Sequence, residues 1–487
     1  MRLANRCSAL LAGLLIAAAG CARNPATGSN QLMLVSESQE IEMGRAADKD
    51  VIASIGLYPD SNWQRYIQAF GARLAANSER PNLPWTFRVV DDAAVNAFAL
   101  PGGFIYVTRG ILANLNNEAE LAGVVGHEIG HVTARHTAHE MSRQQLAQLG
   151  LVVGAVASPT VAQYAGLASQ AMSLVFLKFS RDDESQADHL GLRYMGKTGF
   201  DEREMPQVFV MLGQVSAAEG GSHLPQWLET HPDPENRRQA MEQEIAQLPA
   251  GQAGGTVNAA EFVRRVDGLV YGADPRDGFF RGNQFIHPGM RFRMDFPQGW
   301  KTANTAQAVQ GVSSGQDAAI QLTLAQERSA DAAARAFAAQ QGLQAGSAQR
   351  TTVSGLTGVV VPFAATTDNG ALRGNALFVE YNGTVFNLIG YAPEARWAAN
   401  EGAVDGALKT FGPLTDPTAL AVQPQRLDVF TAPSRTTIAE LVRSHPSPLQ
   451  PDMLALINQV QPDSPIEAGH LVKWVTGPSL EQANRTP

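Results

Sequence analysis

The stretch Gly123–His136, GVVGHEIGHVTARH, restricts the fold more than any other part of the chain. It reads as helix, and in a helix residues i and i+4 lie one turn apart and about 40° round the axis, so His127 and His131 can aim ring nitrogens at one point. Glu128 falls about 60° from His131 on the helical wheel, beside that point but off the histidine stripe. A carboxylate there can take a proton from water activated by a metal ion. Leu121, Val125 and Val132 make an apolar stripe on the far side of Glu128. The helix is therefore expected to keep one face for chemistry and another for packing.

Two histidines do not complete a catalytic metal site. His-Glu-x-x-His is a zinc-protease signature, and catalytic zinc takes three protein ligands plus one open position. His136 and His139 follow without the Gly turn that would bring a third ligand back, so that ligand has to come from another helix. The segment SRDDESQADHLG, Ser180–Gly191, supplies it, with Glu184 and Asp188 four apart on one predicted helix face. Glu184 then joins His127 and His131 around one zinc ion per chain, Glu128 serves as general base, and Asp188 orients His127 or His131 by a hydrogen bond. His136, His139 and His189 are read as structural or solvated, because three ligands are already in hand.

Three ordered segments, NEAELAGVVGHEIGHVTARH, FSRDDESQADHLG and ETHPDPENR, carry a resemblance. They resemble the zinc metallopeptidase family that includes HtpX and the CAAX prenyl protease, and especially its exported BepA-like members, over the stretch from Gln31 to Leu248. The resemblance implies one-step hydrolysis of peptide bonds without a covalent intermediate, with His127, His131 and Glu184 as ligands, Glu128 as base and Asp188 in support. LPGGFIYV, Leu100–Val107, resembles the family's edge strand, so Gly103, Phe104, Ile105 and Tyr106 are expected to hold an extended substrate by backbone hydrogen bonds. Such binding suits unfolded or misassembled envelope proteins. His231, in ETHPDP, is open between three roles: it stabilises the oxyanion, it fills the fourth zinc position and holds the enzyme off, or it only caps a helix. A different class of function also stays open, a chaperone-like or peptidoglycan-tethering lipoprotein with a silenced protease domain. A processing protease with one defined substrate is the third.

The opening MRLANRCSALLAGLLIAAAGCARNP has Arg2 and Arg6, an apolar run from Ala9 to Ala19 and then small residues, the layout of a secretory signal. The run is short for a bilayer span, and AAGC ending at Cys21 resembles a bacterial lipobox, whose cysteine is acylated after cleavage. Ala18 stands where such signals favour Leu, so ordinary cleavage near Ala19 is the alternative. With Cys7 in the signal and Cys21 at the anchor, no intrachain disulfide is expected. The expected location is the bacterial envelope, with Ala22 after the cysteine resembling the sorting signal for the periplasmic face of the outer membrane. A formal charge of -9 and a pI near 5.6 give no electrostatic footprint for nucleic acid.

At 487 residues the chain is too long for one ordinary core. The expected fold class is multidomain: a mainly α zincin-type metalloprotease domain with a small β-sheet, an α+β domain, and a small LysM-like α/β module. The divisions are a signal at 1–20, a tether at 21–33, the peptidase at 34–250, a Gly/Ala-rich linker at 251–273, the α+β domain at 274–416 and the last module at 424–478. Within the peptidase, 150–179 is rich in Ala, Val and Leu; a core helical hairpin is favoured over a membrane-facing loop, because Gln163 and Gln170 interrupt any spanning length. The motif FPQGW, Phe296–Trp300, and the helix before TFGPL resemble PsbP-like domains. The tail from RLDVF to LVKWV resembles a LysM module, which implies binding to a glycan polymer such as peptidoglycan. SRTT replaces the usual Gly-Asp-Thr opening of such modules, so a purely structural tail is equally open.

Overall fold

The computed structural model describes residues 21–148, 177–218, 226–249, 254–305, 308–367 and 370–478. The signal segment and nearly all of the Ala/Val/Leu-rich stretch at 150–179 lie outside the described residues. Among the described residues no helix is long and apolar enough to cross a membrane. The chain forms two compact units, one made of Met1–Gly272 with Arg426–Thr476 and the other centred on Ala273–Gln425. It is multidomain, with helices and several sheets.

In the first unit, the helix Glu118–Ala134 starts where Asn117 accepts the Glu120 amide at 2.7 Å. Every residue of this helix is buried, so its chemical face, with His127 and His131, is enclosed like its packing face of Leu121, Val125 and Val132. Glycine makes this possible. A Cβ on Gly126 would stand 3.2 Å from the Cα of Gly191, and one on Gly130 would stand 2.9 Å from the carbonyl oxygen of Ala187. The helix Arg181–Thr198 therefore lies unusually close along Glu118–Ala134. The sequence also reads as helix straight on to Leu149, whereas the structure breaks at Arg135, which is left-handed at φ 63 and starts a new helix, His136–Gln148. Arg135 is held there by Glu40 at 2.5 Å and by the Val35 carbonyl at 2.7 Å.

A three-stranded sheet lies against the helices in the order Thr86–Val90, Phe104–Thr108, Ala97–Leu100. Phe104–Thr108 is paired on both sides, parallel to Thr86–Val90 and antiparallel to Ala97–Leu100. This corrects the expectation that Gly103, Phe104, Ile105 and Tyr106 form an edge: all four are buried, Phe104 to Tyr106 lie in the central strand, and their backbone groups are engaged on both sides. Ala97–Leu100 and Thr86–Val90 are the two outer strands of that sheet, and Thr86–Val90 is met on its outer side by Leu57 and Tyr58.

Two segments that read as flexible are folded. The expected tether is a β-hairpin in which Cys21–Arg23 pairs with Asn30–Leu32. The expected linker contributes a helix, Ala259–Arg265, whose Phe262 is fully buried, and a strand, Val270–Tyr271. That strand completes a sheet with Gln425–Thr431 and Leu471–Thr476, and the Gly268 amide donates to the Leu427 carbonyl at 2.8 Å. Leu454, Ile457 and Trp474 of the tail share one apolar core with Leu121, Val125 and Phe200. The tail is thus part of the first unit. Lys473, fully buried, ties it down by donating to the carbonyls of Ala113 and Leu115 at 2.9 and 2.8 Å.

The second unit is α+β. Its largest sheet is antiparallel and includes the long strands Leu356–Thr367, Gly370–Tyr381 and Thr384–Pro393. Alternation assigns its two faces: Leu377 and Val379 pack with Trp397 and Val404 of the helix Glu394–Leu408, while Ala376 and Phe378 pack with Phe337 of Ala330–Ala338.

Candidate metal centre

The close pairing of Glu118–Ala134 with Arg181–Thr198 sets Glu184 opposite the two histidines. His127 Nε2 lies 3.0 Å from His131 Nε2 and 3.6 Å from Glu184 Oε2, and His131 Nε2 lies 3.6 Å from Glu184 Oε1. His231 enters from the turn between the helices Gln226–Thr230 and Pro234–Ala246, its Nδ1 3.3 Å from His127 Nε2 and 2.9 Å from Glu184 Oε1. These four side chains are buried and offer one donor atom each within 4.8 Å of one another.

The donor set fits a zinc ion. Ligand atoms about 2.0–2.1 Å from a tetrahedral zinc lie about 3.3 Å apart, which is the spacing observed. The Glu184 Oε2 atom is buried without a hydrogen bond of good geometry, although the Arg237 guanidinium lies 2.6 Å away. His131 is held neutral: burial lowers its pKa, and the neighbouring His127, His136, His231 and Arg237 lower it further. Neutral imidazole is the metal-binding form.

Glu128 stands at the rim of this cluster, 1% exposed, with Oε1 accepting from Trp227 Nε1 at 3.2 Å and lying 3.6 Å from His231 Nε2. Asp188 belongs to His127: its Oδ1 lies 2.9 Å from His127 Nδ1. Arg237 grips Asp188 with two donors at 2.7 and 2.6 Å. Burial pushes the Asp188 carboxyl up, but the Arg237 charge and hydrogen bonds, with His127, bring it down to about 2. Burial likewise opposes ionisation of Glu184, and His231 and Arg237 outweigh it. For His231, burial opposes protonation while Glu184 and Glu128 favour it, and the balance lies above the usual imidazole range.

The sequence reading therefore names five residues that the fold brings together, His127, Glu128, His131, Glu184 and Asp188, and it leaves His231 open. It misses Arg237, Trp227 and His136. Arg237 stood in the quoted segment ETHPDPENR, and a buried pair of carboxylates at i and i+4 calls for a cation. Cys21 begins the N-terminal hairpin, far along the chain from these helices.

A His-Glu-x-x-His helix, a carboxylate from a second helix and a further glutamate beside them make up a candidate metal centre. Residues 61–245 match the model of Peptidase family M48. The chain is 31% identical over 258 residues to the beta-barrel assembly-enhancing protease of Yersinia pestis, covering 51% of this chain and 52% of that one. It is 32% identical over 225 residues to the protein of the same name from Escherichia coli (strain K12), covering 44% and 45%. It is 37% identical over 172 residues to mitochondrial metalloendopeptidase OMA1 of Arabidopsis thaliana, covering 35% and 33%. The chain thus spans about half the length of the first two relatives and a third of the last. Among solved structures, cyanobacterial PsbP (CyanoP) from Synechocystis sp. PCC 6803 aligns at 13% identity and a TM-score of 0.23, covering 28% of this chain and 94% of that one, a likeness too slight to argue from.

Proposed function

We propose that this protein is a zinc metalloendopeptidase that cleaves unfolded or misassembled proteins of the bacterial envelope. The observation that carries the reading is the convergence of His127, His131 and Glu184 beside Glu128 in a buried cluster. Zinc, when bound, supplies Lewis acidity toward the scissile carbonyl and toward water. Glu128 takes the proton of the attacking water and delivers it to the leaving amine, on the carboxylate oxygen that Trp227 does not engage. Asp188 keeps the His127 Nδ1 proton in place, so Nε2 faces the ion. Ala97–Leu100, the outer strand not met by Leu57 and Tyr58, replaces Phe104–Tyr106 as the strand that an extended substrate would join.

His231 favours the silenced reading of the same site, because its Nδ1 lies among the ligand atoms and reaches Glu184 at 2.9 Å. We assign it, as neutral imidazole, to the fourth position, where a bound ion takes the place of the proton that Glu184 and Glu128 favour. Substituting His231→Ala should then raise cleavage of an unfolded substrate; a fall would return it to the oxyanion role, and no change would leave it structural. The envelope location, the acylated Cys21 and glycan binding by 424–478 belong to the same proposal. Incorporation of labelled fatty acid at Cys21 and co-sedimentation with peptidoglycan test the last two. For the activity itself, a soluble form beginning at Ala22 should cleave denatured protein at many sites, lose activity with a chelator and regain it with zinc. Cleavage of one defined sequence only would point to a processing protease.

A further inference from the structure

The two histidines of the metal centre are oriented by different means. His127 is held by the Asp188 carboxylate and Arg237, whereas His131 leads away from the ion through His136 to Gln186. His131 Nδ1 lies 2.8 Å from His136 Nδ1, and His136 Nε2 lies 2.9 Å from Gln186 Oε1. The turn at Arg135 makes this contact, since a continuous helix would carry the side chain of residue i+5 away from that of residue i. Only one proton arrangement satisfies the chain. His136 Nε2 faces two acceptors, Gln186 Oε1 and, at 3.5 Å, Asp183 Oδ1, so it carries the proton. Its Nδ1 is then an acceptor, which fixes the His131 proton on Nδ1 and turns the His131 Nε2 lone pair toward Glu184 and His127.

The chain ends in the N-terminal hairpin. Asn24, 4% exposed, donates from its amide nitrogen to Gln186 Oε1 and to Gln31 Oε1, both at 3.2 Å. Its Oδ1 accepts from the amides of Ala26 and Thr27 at 2.8 and 3.3 Å, which settles which end of the side chain faces Gln186. Gln31 in turn donates to the Ala134 carbonyl, in the last turn of the metal helix, at 3.2 Å. Asn24 stands three positions after Cys21.

We infer that His136 is a positioning residue for the metal ligand His131, and that the hairpin Cys21–Leu32 is part of the metal centre because Asn24 and Gln186 hold His136 in place. The inference rests on the zinc reading of the site. It gives the segment next to Cys21 a direct structural line to the metal.

The test measures zinc affinity of the chain from Ala22 onward, by competition with a chromophoric chelator, alongside kcat and KM. His136→Leu should weaken zinc binding about 10- to 100-fold. His136→Asn, which keeps an acceptor for the His131 proton, should recover most of that loss. Gln186→Leu and Asn24→Ala should each weaken zinc in the same direction by a smaller factor, with KM little changed. If the wild type binds zinc and His136→Leu binds it equally well, or His136→Asn is as impaired as His136→Leu, the positioning role is overturned. Should His136→Leu fail to fold by circular dichroism, Asn24→Ala decides: unchanged zinc affinity there removes the hairpin from the metal centre. A wild type that binds no zinc would instead overturn the underlying zinc reading.

Discussion

The two compact units solve burial in opposite ways. The α+β unit has a core of aromatic rings, with Phe292, Phe386 and Phe411 packed at centroid distances of 4.9 to 5.2 Å. The first unit, beside its apolar core, buries charge: His127 and Glu184 are fully buried, and Glu128, Asp188 and Arg237 nearly so. An apolar core tolerates loss of a side chain in proportion to the space left behind. A buried polar cluster holds only while every charge keeps its partner. That difference decides which substitutions damage chemistry and which damage only stability.

The largest expected effect follows from removing the cation shared by Glu184 and Asp188. Arg237→Met should lower the stability of the first unit by about 3–5 kcal/mol and weaken zinc binding by about 10- to 100-fold, while the α+β unit melts as before in calorimetry. Equal loss in both units would break the comparison. Its counterpart, Phe386→Ala, should lower the stability of the α+β unit by about 3–5 kcal/mol and leave zinc content and cleavage unchanged below its melting temperature. A loss of zinc in that variant would show that the units are not separable in this sense.

A smaller effect tests the close helix approach. On Gly130 a Cβ meets backbone rather than a movable side chain, so Gly130→Ala should cost about 1–3 kcal/mol and displace Glu184 from the histidines, seen as weaker zinc binding. The smallest effect is a pH dependence in the α+β unit. Burial pushes the His287 imidazole down to about 4, while in the unfolded chain it titrates near 6.5. Below pH 6.5 the unfolded state takes up a proton that the folded state resists, so this stability is present above 6.5 and is lost as pH falls through 4. Allowing for partial exposure, the loss is about 2 kcal/mol at pH 4. Urea unfolding of wild type and His287→Gln at pH 7 and 4.5 reads it out; identical pH slopes would contradict it.

What the sequence reveals and conceals follows the same division. Ligands spaced i, i+4 on a helix are local geometry, so His127, His131, Glu184 and Asp188 can be read from two short segments. The partners that complete them cross between elements. Trp227 reaches Glu128 from 99 residues away, and Arg237 reaches Asp188 from 49. His136 is read from the sequence as structural or solvated because three ligands are already in hand, and its contact with His131 depends on the left-handed Arg135, which a helical pattern does not show. Strand pattern identified LPGGFIYV as a strand but could not give its order in the sheet, which is why a central strand was read as an edge. Gly and Ala content suggested a linker at 251–273, yet one buried Phe262 and the pairing of Gly268 with Leu427 join that segment to the distant tail. A separation of 427 − 268 = 159 residues leaves no local trace of such a pairing.

The central claim is that Glu128 performs chemistry at a metal site that it does not itself hold. The most direct measurement compares the soluble form beginning at Ala22 with its Glu128→Gln variant, for zinc content per chain and for cleavage of an unfolded protein. The account predicts one zinc in both and cleavage by the wild type alone. Equal cleavage by the two, or loss of zinc from the variant, would contradict it.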